Sequence, residues 1–330
     1  MIGNTQSHDR TGMASGSALA INVTSVERVL AQSALVGVGE YRCPVGHPQF
    51  AGGGPQTCPY IVFPRTSVRL TPAHWRTEVC TPNVASLYNI GDTYDRKPVS
   101  EEGDLSDWIA VSPDLLRDVC DAYFRGLGSS GDRIFQKPFV PVSSELYLAQ
   151  RILFSRISED PTLPMLAIEE YVVALVHQVA RESTVAWGGN AANESAGNTR
   201  AQHAQLILTN DAKEIIATRY ASQLTLQELA RSLQCSEGYL CRTFKRATGF
   251  TLHGYSVHLR LRASLQMIVD SWMDLSGIAE HLGFANHSHF TDVFRRNFAM
   301  TPSAFAKSRS SLLQKGMHMM LDSMLANGKR

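Results

Sequence analysis

The sequence predicts a two-domain α+β chain, a small β-sandwich or barrel with attached helices followed by an all-α domain. Three observations predict it. Residues 35 to 111 alternate short β-prone runs with Pro, Gly and Asp. The apolar spacing turns helical after Ser112. The helical second half then repeats itself at an offset of 49 to 50 residues.

In chain order, Met1 to Ala20 is polar and Gly- and Ser-rich, without the apolar core of a signal peptide, and residues 1–30 are expected to be flexible. A first domain is expected over 31–184. Its strands are read at Tyr60 to Phe63, Ser67 to Leu70, Val84 to Ile90 and Trp108 to Val111. Ser112 and Pro113 supply a cap and a first-turn proline for a helix through about Phe124. Ser143 to Ile157 and Pro164 to about Glu182 follow with helical spacing. The last of these carries Leu166, Ile168, Tyr171, Val172, Leu175, Val176 and Val179 as a broad apolar stripe, suited to a core helix or to a dimer seam. Residues 185–204, with Trp187 to Thr199 rich in Gly, Asn and Ala, are read as a linker. The helical domain is expected over 205–310, with 311–330 as a tail.

Composition narrows the function classes. The 330 residues are 44% hydrophobic and 18% charged, enough apolar content for two cores. No run reaches the roughly 20 apolar residues that cross a bilayer, so a cytoplasmic protein without a membrane partner is expected. Cys43, Cys58, Cys80, Cys120, Cys235 and Cys241 form no C-x-x-C pair, which fits reduced thiols. Formal net charge is only +1, yet Asp211 to Ser310 hold twelve Lys or Arg against eight Asp or Glu. The second domain is the basic one.

Within it, Leu226, Leu229, Ala230 and Leu233 recur 49 residues on as Leu275, Ile278, Ala279 and Leu282. Leu240, Phe244, Lys245 and Arg246 recur 50 residues on as Phe290, Phe294, Arg295 and Arg296. The one-residue difference falls where a turn belongs, so each copy is a pair of short amphipathic helices. Capping residues agree: Thr225 with Glu228, Ser236, Asp274 and Asn286 stand at four helix starts. Gly249 suits a left-handed C-cap, and Thr301-Pro302 begins a further helix. A connecting helix of about 18 residues, roughly 27 Å long, is expected around the Gly254 to Met267 stretch, with Tyr255, Leu259, Leu261, Leu265 and, just beyond it, Ile268 apolar. Two helix pairs so joined can set their second helices near the 34 Å repeat of DNA, which is what helix-turn-helix reading of successive major grooves requires.

These residues resemble the AraC/XylS family of bacterial transcriptional regulators over about 206 to 309. The resemblance is carried by Leu226, Leu229 and Ala230, by Tyr239, Leu240, Arg242, Phe244 and Lys245, and by Arg260, Leu261 and Ala263. It continues in Ile278, Ala279, Leu282, Gly283, Phe284, Ser288, His289, Phe290, Phe294 and Arg295, then Thr301-Pro302-Ser303. It implies a cupin-like N-terminal β-barrel that senses a signal or dimerises; Tyr41 to Pro44, Phe63 to Arg65 and Asp107-Trp108 are similar to one such sensor type. Three positions depart from the pattern: Gln234 and Ala299 where glycine is usual, with modest strain expected, and Ala306 where an arginine commonly stands.

The resemblance puts Gly238, Cys241 and Arg242 at base-reading positions of the first recognition helix. Only Arg242 has the fork for two bonds to guanine. On the second, His287, Ser288, Thr291 and Asp292 face outward around Phe290 and Phe294. Asp292 is unusual on a DNA face, and either accepts from cytosine or pairs with Arg295 or Arg296. Lys245, Arg246, Arg295 and Arg296 are expected on phosphates, and His289 in packing.

The expected partners are double-stranded DNA, a small-molecule effector, RNA polymerase if the protein activates, and a second copy in a homodimer. When bound, the protein would sit with the nucleoid. No P-loop, G-x-S-x-G or H-E-x-x-H pattern occurs, and His47 and His74 stand alone without the H-x-H of a catalytic cupin. No catalytic residue, metal or cofactor is therefore expected. Two alternatives remain: a metal or redox sensor built on Cys43, His47, Cys58 and Cys80, and, behind it, a cupin enzyme fused to a DNA-binding domain.

Overall fold

The computed structural model describes residues 19–21, 24–124, 133–188, 200–270 and 273–307. The expected tail at 311–330, most of the expected flexible start and 189–199 of the expected linker lie outside these residues.

Ten strands build the first domain: β1 Glu27–Gln32, β2 Val36–Cys43, β3 Gly52–Gly53, β4 Tyr60–Pro64, β5 Val68–Pro72, β6 Glu78–Cys80, β7 Val84–Tyr88, β8 Tyr94–Pro98, β9 Asp104–Val111 and β10 Phe139–Pro141. β1 begins inside the segment expected to be flexible. The strands form two antiparallel sheets, one ordered β1-β2-β9-β4-β7-β10 and one β3-β8-β5-β6. The expected cupin-like barrel does not close among the described residues, because strands of only two or three residues (β3, β6, β10) end the sheets at three of their four edges. Side-chain alternation divides the larger sheet cleanly. Ile61, Phe63, Ile109 and Val111 face the helices, whereas Tyr60, Trp108 and Ala110 belong to separate apolar groups on the other face.

Three helices cover that outer face: α1 Pro113–Phe124, α2 Ser144–Glu159 and α3 Met165–Gly188. Ser143 caps α2 by accepting from the Leu146 N–H. Of the apolar stripe on α3, Ile168, Val172, Leu175, Val176 and Val179 are buried within the chain, so its centre is core and only Leu166 is fully exposed.

The second domain contains α4 Arg200–Arg219, α5 Leu226–Ser232, α6 Glu237–Thr248, α7 Leu252–Asp270, α8 Leu275–His281, α9 His287–Phe298 and α10 Pro302–Lys307. α4 starts before 205, within the expected linker. α5 and α6 form the first helix pair, α8 and α9 the second, and α7 joins them. Ala212, Ile216, Leu229, Ala230, Leu240, Phe244, Tyr255 and Leu259 make a self-contained core for the first pair. The second pair differs. Its Ile278, Leu282, Phe290, Val293 and Phe294 run into one continuous apolar cluster with α1 to α3 of the first domain.

Polar contacts fasten the same junction. Asn210 on α4 accepts from the Val79 N–H and donates to the Thr77 carbonyl, each at 3.0 Å, and so covers the open edge of β6. Lys213 pairs with Glu78 and Arg69 with Glu214, across the domain boundary. Tyr255, Leu259, Arg262 and Gln266 recur along one side of α7 at helical spacing. The Tyr255 hydroxyl meets Thr81 at 2.5 Å. Gln266 accepts from Arg65 at 2.6 Å and from Arg151 at 2.7 Å, both of which also hold the buried Asp107. Arg262 is enclosed, donates to the carbonyls of Pro82 and Val142 and stacks over Tyr147.

His258, also on α7, lies 3.3 Å from Ser144 of the first domain and edge-on to Phe250. Burial, reinforced by Arg262, depresses its pKa from 6.5 to about 4. Between those values the unfolded chain takes up a proton that the native one does not, so stability falls as pH falls through that window. The urea midpoint is expected to drop between pH 7 and pH 5, and His258→Gln to flatten part of that drop; an unchanged slope in the variant would show that other groups cause it.

Candidate nucleic-acid interface

Each helix pair is set by caps at both ends of its second helix. Thr225 and Glu228 form a full capping box on α5. Ser236, Asp274 and Asn286 accept from the backbone of Tyr239, Gly277 and His289 at the starts of α6, α8 and α9. The turns between the helices correspond: the Cys235 N–H reaches the Ala230 carbonyl, and the Phe284 N–H reaches Ala279.

Four positions in these pairs take left-handed backbone, two per copy: Gln234 (φ 52°) and Gly249 (φ 78°) in the first, Gly283 (φ 71°) and Ala299 (φ 56°) in the second. Each copy has glycine at one of its two and a side chain at the other. A Cβ in this region costs about 1 kcal/mol or more. Ala299→Gly is expected to raise unfolding stability by about 1 kcal/mol in urea titration, less the entropy that glycine adds to the unfolded chain. A loss of stability would mean that strain at Ala299 is already relieved.

With Leu240, Phe244, Phe290 and Phe294 fully buried, the opposite faces of α6 and α9 are left for a ligand. On α6, Gly238, Cys241, Arg242, Lys245 and Arg246 are all exposed. The Arg242 guanidinium lies back along the helix beside Gly238, 3.4 Å from where a Cβ on that residue would stand, which is ordinary van der Waals contact. Arg246 donates to Gln205 of α4 at 2.6 Å.

On α9, His287, Ser288, Asp292, Arg295 and Arg296 are exposed. Asp292 is 3.6 Å from Arg295, and its backbone carbonyl accepts from Arg296 at 3.3 Å. The Asp292 carboxylate thus has a counter-ion on its own helix, one turn along. Thr291 departs from the outward expectation: it is half-buried, and its hydroxyl oxygen is enclosed without a hydrogen-bond partner, so its exposed surface is not the hydroxyl. Cys241, its counterpart in the first copy, is exposed. His289 is exposed rather than packed inside, with its ring 5.8 Å from that of Phe284.

A second candidate site is a cavity of about 300 Å³ between the two sheets. Tyr41, Tyr60, Tyr88, Tyr94 and Trp108 give it aromatic walls. Burial keeps the tyrosines protonated, Tyr94 pushed up to about 12. Arg96 in the wall is already engaged by Asp104, by the Phe50 carbonyl at 2.8 Å and by the Tyr41 hydroxyl at 2.7 Å. The Trp108 indole N–H is buried with no partner.

Cys43, Cys58 and Cys80 are buried, and burial pushes the thiols of Cys58 and Cys80 up, away from the reactive thiolate. Among the described residues no three His, Cys, Asp or Glu side chains are grouped as a metal ion would need. No described helix is long and apolar enough to cross a membrane.

Sequence reasoning missed Arg262 and Gln266, and named Arg260 for the resemblance without its role; all three fix α7 to its surroundings. Polar residues at helical spacing in line with Tyr255 and Leu259 were the available signal for Arg262 and Gln266.

Comparison with known proteins adds a helix-turn-helix domain family that matches residues 229–308. The Msm operon regulatory protein of Streptococcus mutans is 28% identical over 98 residues, 30% of this chain and 35% of that protein. The transcriptional regulatory protein HptR of Staphylococcus aureus is 31% identical over 98 residues, 30% of this chain and 38% of its own length. The matched segments thus span little more than a third of these relatives. Among solved structures, an AraC-type DNA-binding regulator from Chromobacterium violaceum covers 32% of this chain and 94% of its own at 23% identity, TM-score 0.30. ToxT of Vibrio cholerae covers 83% and 98% at 13% identity, TM-score 0.32. At such scores these structures add nothing to the fold described above.

Proposed function

We propose that this chain, whose residues 229–308 match a helix-turn-helix domain family and resemble the AraC/XylS regulators, is a sequence-specific DNA-binding transcriptional regulator, not an enzyme, that reads two successive major grooves. The observation that carries this reading is the duplicated, fully capped helix pair whose second helices, α6 and α9, each expose a basic outer face. In it, Gly238, Cys241, Arg242, His287, Ser288 and Asp292 meet base edges, with Thr291 offering only its non-hydroxyl surface. Lys245, Arg246, Arg295 and Arg296 hold phosphates. The two faces differ in chemistry, so the preferred site is asymmetric.

The first domain serves as the sensor in this reading. Its cavity, with aromatic walls and with Arg96 already paired, favours a small organic effector over a metal or a reactive thiol. Homodimerisation, and contact with RNA polymerase if the protein activates, extend the same reading, as does residence in the cytoplasm at the nucleoid. Selection of bound duplexes from a random pool, together with genome-wide mapping of bound DNA, tests the core of it. Enrichment of one asymmetric site with two half-sites about 10 base pairs apart is expected. Equal binding of enriched and scrambled DNA would overturn it.

A further inference from the structure

Arg260 stands on α7, between the two helix pairs, and its guanidinium spends its fork on three backbone carbonyls. Nε donates to Tyr220 at 2.5 Å and Nη2 to Ser222 at 3.1 Å, both just past the C-terminus of α4. Nη1 donates to Gly283 at 2.6 Å, in the turn between α8 and α9. The cation also lies over the Phe284 ring, 5.9 Å from its centre. Two helix C-termini, each carrying partial negative charge, are thereby brought to one positive group. The backbones themselves touch here. A Cβ on Gly283 would fall 2.3 Å from the Ala221 carbonyl oxygen, so the turn of the second pair rests directly on the loop that leads into the first.

We infer that Arg260 is a positioning residue for DNA specificity: by bolting the turn of the second helix pair to the loop ahead of the first, it fixes the offset between α6 and α9 and hence the half-site spacing accepted. The inference rests on the DNA-reading function above. Its physical basis is that one extra base pair moves a half-site by about 3.4 Å along the duplex and turns it by about 35°. A rigid pair of recognition helices cannot follow that displacement, whereas a loosened pair can. Lysine cannot replace the fork, because a single ammonium on a flexible stem does not hold three carbonyls in fixed directions.

The test uses the full chain and duplexes built from the half-sites that wild type selects, at the selected spacing and at one and two base pairs more or fewer. Wild type is expected to lose about tenfold or more in affinity per base pair of altered spacing, in line with the cost of one mismatched contact. Arg260→Lys and Arg260→Gln are expected to cut that penalty to about threefold or less, through weaker binding at the selected spacing and retained binding at the others. Thermal melting accompanies each variant, and if Arg260→Gln does not fold, Arg260→Lys carries the comparison. Loss of the same factor at every spacing, or a spacing profile identical to wild type, overturns the inference and leaves the DNA-reading function standing. Wild type that discriminates among no duplexes overturns both.

Discussion

Arg242→Ala is expected to weaken binding to the selected site by about 10- to 100-fold and to leave binding to unrelated DNA nearly unchanged. The residue is exposed on α6, and among the described residues no carboxylate lies within ion-pair distance of it. Its fork is therefore available for the paired acceptors of a guanine, and Gly238 leaves the space beside it open. Loss of a base contact should relax selection at one base position only. Arg296→Ala provides the contrast. Removal of a phosphate ligand should weaken all sequences alike and lower the slope of log affinity against log salt by about one. Gel-shift titrations over single-base operator variants, repeated at several salt concentrations, distinguish the two. Uniform weakening by Arg242→Ala would move that residue to the phosphate group.

The second large effect is expected at the domain boundary. Lys213 is almost completely enclosed, and Glu78 is the carboxylate that pairs with it. Burial pulls the ammonium's pKa down, but Glu78 more than offsets this and the group titrates above its ordinary range. Glu78→Ala leaves an enclosed charge without a counter-ion, a change that costs about 3–5 kcal/mol. A fall in the urea midpoint corresponding to about that loss is expected. Adding Lys213→Met to Glu78→Ala should recover much of the loss, since the double variant buries no charge. A single variant as compact and stable as wild type would show that the pair is not what holds the junction.

Legibility of the fold followed local periodicity. The duplicated helix pairs were readable because Leu, Ile and Phe at helical spacing, Thr225, Ser236, Asp274 and Asn286 at the starts, and the departures at Gln234 and Ala299 are all local signals. The left-handed backbone at both departures follows from the turn geometry. The two-sheet arrangement was only half legible: β4, β5, β7 and β9 announce themselves by β-branched and aromatic runs, whereas β3 and β8 carry Gly-Gly and Tyr-Asp-Arg-Lys-Pro, which read as loop. Sheet closure is a long-range property that no single run encodes. Among the site residues, exposure on α6 follows from helical phase alone. The enclosed hydroxyl of Thr291 does not, and neither does the role of Arg260, whose three acceptors lie 40, 38 and 23 residues away along the chain.

The apolar cluster that the second helix pair shares with α1 to α3 bears on how such chains can be recombined. The linker looks like a natural cutting point. Here the cut would leave Val293 and its neighbours on α9 without the surface that completes them, while the first pair would carry its own core away intact. A transplant that keeps α4 to α10 but changes the partner must therefore also carry the matching face of α2. Otherwise the hybrid inherits one sound reading head and one with an exposed flank prone to sticking.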